Sequence, residues 1–335
     1  MSSSCTIPKG YKPHLSLRQT ENAIKKVKDF FERDLSIQLN LTRVSAPLFV
    51  SAESGLNDNL SGSERPVSFD VRVGGELEIV HSLAKWKRAA LKTYGFHPGE
   101  GLYTDMNAIR RDEDIDNIHS IFVDQWDWER VIRHEERTRE TFENTVRLIY
   151  ASLRHTEAYI TNEYRFIGHL LPEHITFLTT QELEDRYPDK TPKEREYLAS
   201  KEYGAICLMQ IGGKLKSGNK HDGRAPDYDD WTLNGDIIVY YSVLDIALEL
   251  SSMGIRVDED ALRRQLKEAG CEDRASLPFH RALLAGNLPY TIGGGIGQSR
   301  MCMFFLRTAH IGEVQSSYWD EETHRVCLEH GVNLL

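Results

Sequence analysis

The strongest constraint on the fold is the stretch VDQWDWE at 123–129, in which polar and aromatic side chains alternate strictly. Successive side chains of a β-strand point to opposite faces, so an amide and two carboxylates share one face and two tryptophans share the other. Packing explains the tryptophans, but a buried carboxylate is costly unless it is paired. The pattern predicts a strand with a core on one side and either a polar site or solvent on the other. The polar set is Gln125, Asp127 and Glu129, and the aromatic set is Trp126 and Trp128.

The rest of the chain predicts an α+β fold, an antiparallel β-sheet flanked by helices. Hairpins, such as the one around Gly74 and Gly75, outnumber βαβ units. A strand over 43–50 contains Pro47, which cannot donate to a sheet ladder, so we expect an edge or bulged strand. The glycines of 293–297 are expected to form a turn that leads into an apolar helix. Further helices are expected from Ser16 or Thr20, over about 135–164, and near 192–200 and 259–269.

Composition favours a globular protein with small-molecule ligands. Of the 335 residues, 40% are hydrophobic and 27% are charged, which argues against intrinsic disorder. The formal net charge of −10 lowers the expectation of nucleic-acid binding, which usually needs a basic face. We therefore expect no nucleic-acid partner.

The sequence also predicts the location of the protein in the cell and its division into domains. No apolar run reaches the ~18 residues that span a bilayer, and the N-terminus lacks the apolar core of a signal peptide. We therefore expect a cytoplasmic protein with no membrane association. The absence of repeats and of long linkers predicts a single catalytic domain over 1–335. The five cysteines are scattered without a CxxC pair, so neither a disulfide framework nor a zinc site is indicated.

Three further segments suit phosphate chemistry, although each also has an ordinary structural explanation. The charge-rich turn at 110–114 begins with Arg110 and Arg111, and a guanidinium fork fits a phosphate or a carboxylate. In ELSSMGIR, Glu249 and Ser251 are expected on one strand face, where a carboxylate could hold Mg²⁺. In GGGIGQSR at 293–300, glycines allow a ligand to approach the backbone, and a helix start favours anions. Arg300 near that helix start is unfavourable for the helix dipole unless a phosphate lies beside it.

Taken together, these segments resemble the signature of class II aminoacyl-tRNA synthetases. The first helix with the Pro47 strand, at about 16–50, resembles motif 1; the hairpin at about 102–130 resembles motif 2; and the segment at about 291–308 resembles motif 3. HSLAKWK and ELSSMGIR are similar to elements of the aspartyl and asparaginyl subgroup. The resemblance implies an antiparallel catalytic sheet, ATP use and, through motif 1, a homodimer.

Almost the whole chain resembles the aspartate–ammonia ligase family, the ammonia-dependent asparagine synthetases. The resemblance implies that the side-chain carboxylate of L-aspartate attacks ATP to give a β-aspartyl-adenylate and pyrophosphate. Ammonia then converts the adenylate to L-asparagine and AMP. The segments that carry it include DNLSG, VHSLAKWKR, EGLYTDM, VDQWDWERV, RAPDYDDW, LNGD, ELSSMGIRVD and TIGGGIGQSR.

The resemblance also implies roles for individual residues. Catalytic roles fall on Arg110, Asp127, Asp230 and Arg300. Substrate binding falls on Asp58, Lys87, Arg110, Gln125, Asp127, Asp230 and Ser252. Nucleotide binding falls on Arg110, Arg111, Glu113, Glu249, Ser251, Gly295, Gly297 and Arg300. Mg²⁺ would be held by Glu249 and Asp236.

Two assignments and two other functions stay open at this point. Either Arg110 or Arg111 could be the motif 2 arginine, with Arg110 preferred, and either Asp127 or Asp230 could handle ammonia. A tRNA-dependent paralogue of the synthetases would require tRNA for AMP release. A non-enzymatic regulator that binds amino acid or adenylate could dispense with Arg300 or Glu249, and both are present.

Overall fold

A computed structural model describes residues 5–58 and 64–335 of the chain. Its strands form one sheet of eight and one of three. The strands are β1 (Leu41–Arg43), β2 (Phe49–Ser51), β3 (Ser68–Asp70), β4 (Glu76–Ile79), β5 (Gly101–Ile109), β6 (Phe122–Val131), β7 (Thr176–Thr179), β8 (Ala205–Met209), β9 (Asp229–Tyr241), β10 (Ile246–Arg256) and β11 (Thr291–Gly297). The large sheet has the order β1-β5-β6-β11-β10-β9-β8-β7 and the small sheet the order β2-β4-β3. Only the outer pairs β1–β5 and β7–β8 of the large sheet are parallel, so its centre is antiparallel as predicted.

Helices cover both faces of the large sheet. They are α1 (Leu17–Leu39), α2 (Ala84–Thr93), α3 (Arg139–Glu163), α4 (Thr180–Arg186), α5 (Pro192–Tyr203), α6 (Glu259–Ala269), α7 (Pro278–Leu284), α8 (Gln298–Leu306) and α9 (Glu321–Glu329). Ser16 and Gln19 form the predicted capping box at the start of α1, which satisfies backbone donors that the first helical turn leaves open. In the described part of the chain, no helix has the length and apolar character needed to cross a bilayer.

The main core lies between one face of the sheet and the helices α1, α3 and α8. Both tryptophans of β6 are fully buried there, and the ring of Trp126 lies 4.9 Å from that of Phe31 on α1. The tryptophan face of β6 therefore packs in the core, as the alternation predicts. On the opposite face, α2 packs on β5, β6 and β11, while α5 packs on β8, β9 and β10. A cleft lies between these two helices.

Two local predictions are wrong. The glycines of 293–297 belong to β11 rather than to a turn, and none of them has a positive φ. The expected strand over 43–50 is not continuous but divided between β1 and β2, which belong to different sheets, with Pro47 in the connection; both are edge strands, as predicted. A proline lacks the N–H that a continuous ladder needs, so the break at this position has a physical cause. The hairpin at Gly74 and Gly75 is confirmed as the β3–β4 pair, and both glycines have positive φ.

Two of the cysteines that are distant in sequence lie close together in the fold. The sulfur atoms of Cys5 and Cys327, which are 322 residues apart in sequence, lie 3.9 Å from each other without a disulfide bond. Sequence spacing carries no signal for such a contact, because it depends on the docking of the N-terminal segment against α9.

Candidate active site

The cleft has a volume of about 520 Å³, and its floor is the sheet face opposite the tryptophans. One row of paired residues crosses four strands: Asp127 on β6, Gly295 on β11, Ser252 on β10 and Asp236 on β9. Directly paired residues of antiparallel strands point to the same face, so this row carries two acids with only a glycine and a serine between them. The floor therefore has small side chains in the middle and a carboxylate at each end.

A buried network of charges lies at one end of the cleft. The guanidinium of Arg256 donates to both oxygens of Glu129, at 2.7–3.1 Å, and also binds Asp229. The ammonium of Lys87 donates to the carbonyl of Gly294 at 2.9 Å and lies 4.0 Å from Glu129. Burial alone would raise the pKa of Glu129, but Arg256 and Lys87 bring it below its usual value. Such a network is stable only while every member keeps its partners.

Asp127 and Gln125 project from β6 towards the floor of the cleft. The carboxylate of Asp127 accepts from the backbone N–H of Leu83 at 3.3 Å and lies 3.4 Å from the ammonium of Lys87. A Cβ at Gly295 would lie 2.4 Å from the amide oxygen of Gln125 and 2.8 Å from the nearer oxygen of Asp127. Glycine is thus favoured at this position by the side chains of the neighbouring strand, and not by a turn. We name this region, with Lys87, Glu129, Asp229 and Arg256, the closed end.

Asp58 lies at the border of the closed end and is the last residue described before 59–63. It lines the cleft and is almost completely buried. Its backbone is fixed from two sides, because its N–H donates to the side chain of Asn57 and its carbonyl lies 3.2 Å from a ring nitrogen of His81. Residues 59–62 of the DNLSG segment lie outside the described residues.

The other end of the cleft carries charges that are held more loosely, and we name it the open end. Arg110 lies 3.8 Å from Glu113, and its Nε has no hydrogen-bond partner among the described residues. Among the described residues, Arg300 donates only to backbone carbonyls, of Glu249 at 3.2 Å and of Ile118 at 3.4 Å. These cations retain unused donors, which a phosphate could accept.

The start of α8 has an anion of its own. The backbone N–H of Ser299 donates to Asp124 at 3.1 Å, and Lys28 from α1 binds the second oxygen of that carboxylate at 3.0 Å. A helix start favours negative charge, as the sequence predicts, but here the protein itself supplies it. Arg300 is therefore available for the cleft rather than for the helix end.

Comparison with known proteins gives the family of the chain. Residues 18–331 match the model of the aspartate–ammonia ligase family. A Clostridium perfringens protein named aspartate–ammonia ligase is 66% identical over 331 residues, which cover 98% of each chain. A Ruminiclostridium cellulolyticum protein of the same name is 64% identical over 330 residues, again with 98% of each chain covered.

The chain belongs to the aspartate–ammonia ligase family.

The fold has solved counterparts outside this family. Asparaginyl-tRNA synthetase of Entamoeba histolytica, in complex with asparaginyl-adenylate, has a TM-score of 0.63 over 91% of this chain and 68% of its own, at 13% identity. The Pyrococcus horikoshii enzyme with the same adenylate has a TM-score of 0.58 over 92% of this chain and 73% of its own, at 15% identity. At such low identities the likeness concerns the fold, and it confirms the predicted class II synthetase-like architecture.

Most of the residues that the resemblance singled out meet in the cleft of this family member. At the closed end and on the floor they are Asp58, Lys87, Gln125, Asp127, Ser252 and Gly295; at the open end they are Arg110, Glu113, Glu249, Ser251, Gly297 and Arg300. β10 has a β-bulge between Glu249 and Ser251, and both residues line the cleft. Ser251 pairs with Ile296 of β11, and its hydroxyl donates to the carbonyl of Gly295 at 3.1 Å.

Three of the expected site residues do not line the cleft. Arg111 is exposed on the far side of the turn. Asp230 follows Asp229 on β9, so the strand alternation turns it away, and its carboxylate binds Arg137 at 3.0 Å. Asp236 is covered by Arg224, whose Nη2 lies 2.6 Å from it. Burial raises the pKa of Asp236 to about 7, although Arg224 opposes the shift.

Sequence reasoning missed several charged side chains of the site. Arg224 and Asp229 lie within the RAPDYDDW segment, whose five acidic and aromatic residues give no period that would show where β9 begins. Asp124 was missed because its function, capping α8, depends on a contact between distant segments. Asp229 lies two residues before Trp231, the first apolar residue of the alternation in β9. This spacing could have identified Asp229 as a site residue, but only if the start of the strand were known.

Proposed function

We propose that this chain synthesises L-asparagine from L-aspartate and ammonia, using ATP and releasing AMP and pyrophosphate. Family membership over almost the whole chain supports the overall reaction. The observation that carries the assignment of roles is the division of one cleft into a closed, fully paired end and an open end whose arginines retain unused donors. The closed end suits a small zwitterion of fixed shape, and the open end suits a triphosphate.

At the open end, Arg110 and Arg300 would bind the phosphates of ATP. The first chemical step forms a bond between a side-chain oxygen of aspartate and the α-phosphorus, and the bond to pyrophosphate breaks. Negative charge moves onto the leaving pyrophosphate, so guanidinium groups bound to the phosphates stabilise the transition state more than the ground state. The protein thus contributes position and charge compensation, without a covalent intermediate of its own.

At the closed end, Asp127 would bind the ammonium group of aspartate or the incoming ammonia. The ammonium of Lys87 lies 3.4 Å from the carboxylate of Asp127 and fixes its position, while Gln125 offers an amide to the substrate. Ammonium is the main species at neutral pH, so a carboxylate must accept a proton before nitrogen can attack the adenylate. With Asp230 outside the cleft, Asp127 and Asp58 are the predicted carboxylates for this step.

Mg²⁺ fits the open end through Glu249. Among the described residues, no group of three or more metal-binding side chains occurs, and Glu249 faces the cleft while Asp236 lies beneath Arg224. This arrangement fits an ion that takes one or two carboxylates and completes its shell with phosphate oxygens and water. When bound, the ion supplies positive charge that shields the phosphates from the attacking carboxylate.

The decisive experiment is the formation of AMP and asparagine from ATP, Mg²⁺, L-aspartate and ammonium, without tRNA. Equal amounts of both products are expected. AMP release that appears only after tRNA is added would move the chain to the tRNA-dependent paralogues. ATP and aspartate binding without any turnover would favour a regulatory protein instead.

Three further features are part of the proposal. The chain is expected to act as one catalytic domain over 1–335, as a homodimer and in the cytoplasm. Limited proteolysis tests the first, analytical ultracentrifugation the second, and cell fractionation the third.

A further inference from the structure

Two cysteines at opposite ends of the chain form a contact that the proposed reaction does not use. The sulfur atoms of Cys5 and Cys327 lie 3.9 Å apart, and both side chains are buried. Such sulfur atoms need to approach by only ~2 Å to reach the ~2.05 Å of a disulfide bond. In a reducing compartment disulfide bonds are rare, and those that form are mostly transient and respond to oxidants. The pair therefore suits reversible oxidation better than a permanent cross-link.

The surroundings of the pair favour a thiolate at one of its two members. The hydrogen bond between the two thiols lowers the pKa of Cys5 and raises that of Cys327. At Cys5, burial and the carboxylate of Asp320 oppose this lowering of the pKa, whereas His310 supports it. The thiolate is the nucleophilic form of cysteine, so Cys5 is the member that reacts first with an oxidant. Cys327, which keeps its proton, is placed to react second.

The other three cysteines have different surroundings. Cys207 and Cys302 are fully buried in the main core, and burial raises the pKa of both thiols. Cys271 is partly buried, and burial raises the pKa of its thiol as well. Oxidation follows thiolate character, so an oxidant is expected to react with Cys5 before it reacts with any of these three.

The pair lies where the N-terminal segment meets the C-terminal helix. Segment 5–15 contains neither helix nor strand, whereas Cys327 belongs to α9. The hydroxyl of Tyr11 donates to both carboxylate oxygens of Glu313, at 2.9 and 3.1 Å, and so attaches the segment to the connection between α8 and α9. A few hydrogen bonds hold such a segment less firmly than a helix is held, so Cys5 is the member that moves when the sulfur atoms approach.

The same segment is attached to the open end of the cleft. The backbone of Thr6 exchanges two hydrogen bonds with the side chain of Asn117, at 2.9 and 2.8 Å. The carbonyl of the next residue, Ile118, accepts from Arg300 at 3.4 Å, and Ile118 itself lines the cleft. A displacement of Cys5 therefore acts, through Thr6 and Asn117, on the carbonyl that helps to position Arg300.

We propose that Cys5 and Cys327 form a disulfide bond when the protein meets a peroxide, and that this bond weakens ATP binding at the open end. Movement of Cys5 towards α9 draws Thr6 away from Asn117 and loosens the support of Arg300. The effect on ATP rests on the proposed function, whereas the formation of the disulfide does not.

The chemistry has two steps when the oxidant is hydrogen peroxide. The thiolate sulfur of Cys5 attacks one oxygen, so that an S–O bond forms, the O–O bond breaks, and the leaving hydroxide takes up a proton to give water. The sulfur of Cys327 then attacks that of Cys5; the S–S bond forms, the S–O bond breaks, and the oxygen leaves with the proton of Cys327 as a second water. The two thiols lose two electrons and the peroxide gains them. A dithiol reductant reverses the change.

The test of the disulfide treats the reduced protein with hydrogen peroxide and counts its thiols in denaturant before and afterwards. Two of the five thiols should disappear, peptide mapping without reductant should find Cys5 joined to Cys327, and dithiothreitol should restore both thiols. Cys271→Ser is the matched control and should lose the same two thiols. In Cys327→Ser the reaction should stop at a sulfenic acid on Cys5, which dimedone traps.

The test of its effect compares the reduced and oxidised proteins. The KM for ATP should rise by about threefold or more on oxidation, as expected for a weakened hydrogen bond, and should return after reduction, while the KM for aspartate stays the same. Peroxide should leave the KM for ATP of Cys5→Ser unchanged, which separates the disulfide from other oxidation. The midpoint of urea unfolding should rise in the oxidised protein, because a cross-link between distant residues restricts the unfolded chain.

Five intact thiols after treatment, or a linked peptide in which Cys5 has another partner, would overturn the disulfide. An unchanged KM for ATP in protein that carries the disulfide would overturn its effect on the cleft. The thiol count and the unfolding midpoint need no substrate, so a failure of the proposed function is distinct. In that case neither the reduced nor the oxidised protein would form asparagine, whatever the state of the two cysteines.

Discussion

The two ends of the cleft are built in different ways. At the closed end, the side chains of Lys87 and Glu129 are 1% and 0% exposed, and each charge contacts at least one partner of opposite sign. At the open end, Arg110 and Glu113 are 27% and 26% exposed and lie 3.8 Å apart. The difference teaches that the protein forms one half of its site during folding and leaves the other half to be completed by the ligand.

Each construction suits its ligand. A buried charge network costs desolvation free energy, which is recovered only when all hydrogen bonds are made, and it therefore holds its members in one arrangement. That rigidity suits a small substrate, because orientation lowers the entropy lost on reaction. A triphosphate is longer and more flexible, and half-exposed arginines can follow it without first breaking strong pairs.

The largest expected effect tests whether the closed end is part of the folded structure. Glu129→Gln removes the main partner of Arg256, and leaving such a cation poorly compensated costs about 3–5 kcal/mol of stability. We expect a clear fall in the midpoint of urea unfolding, together with loss of asparagine formation. The matched control is Glu113→Gln at the open end, which should leave the midpoint unchanged. Equal midpoints for both variants would contradict the distinction between the ends.

The second effect should appear in catalysis without any change in stability. Within the described part of the chain Arg300 donates to two backbone carbonyls and no side chain, so Arg300→Ala removes little from the folded state. It should lower turnover at saturating substrates by ~100-fold or more, because a cation at the reacting phosphates is lost. Turnover near that of the unmodified protein would remove Arg300 from the proposed mechanism. A lower unfolding midpoint would show that Arg300 stabilises the fold, as the residues of the closed end do.

The two ends also differ in how far the sequence predicts them. Period-two alternation predicts the face of Gln125 and Asp127, because strand geometry is local. Arg110, Glu249 and Arg300 follow from the order of the motifs. The partners of Glu129 and the position of Arg224 do not, because they depend on a turn-rich segment before β9 and on contacts between residues 12 or more positions apart.

The wrong predictions have the same origin. Asp229 and Asp230 are adjacent acids, and which of them faces the cleft depends on where β9 begins, which the sequence does not reveal. The glycines of β11 resemble a turn in composition, but at Gly293 and Gly295 the nearest side chains are those of β6, which need the space.

The third effect concerns the space beside Gly295, between β11 and the side chains of β6. Gly295→Ala would place a Cβ 2.4 Å from Gln125 and 2.8 Å from Asp127, and such overpacking costs about 1–3 kcal/mol. If the two side chains move aside, the KM for aspartate should rise by about tenfold while the KM for ATP stays the same. Gly297→Ala is the matched control at the open end, where the nearest atom would lie at 3.5 Å, an ordinary contact. A larger effect of the control would show that the open end is the more tightly packed one.

The smallest effect separates two neighbouring arginines of the open end. Arg110 lines the cleft with an Nε that has no partner in the described part of the chain, whereas Arg111 is exposed beyond it. Arg111→Gln should therefore change kcat/KM for ATP by no more than about twofold, as expected for a charge screened by water and salt.

Arg110→Gln provides the comparison on the same turn, and it should lower kcat/KM for ATP by at least about tenfold, because a phosphate contact is lost near the reacting centre. The two variants remove the same charge from adjacent positions, so long-range electrostatics affects both alike and only the direct contact differs. A greater loss from Arg111→Gln would mean that the turn rearranges when ATP binds. The open end would then reach its final arrangement only when ATP is bound, whereas the closed end has its final arrangement already in the folded protein.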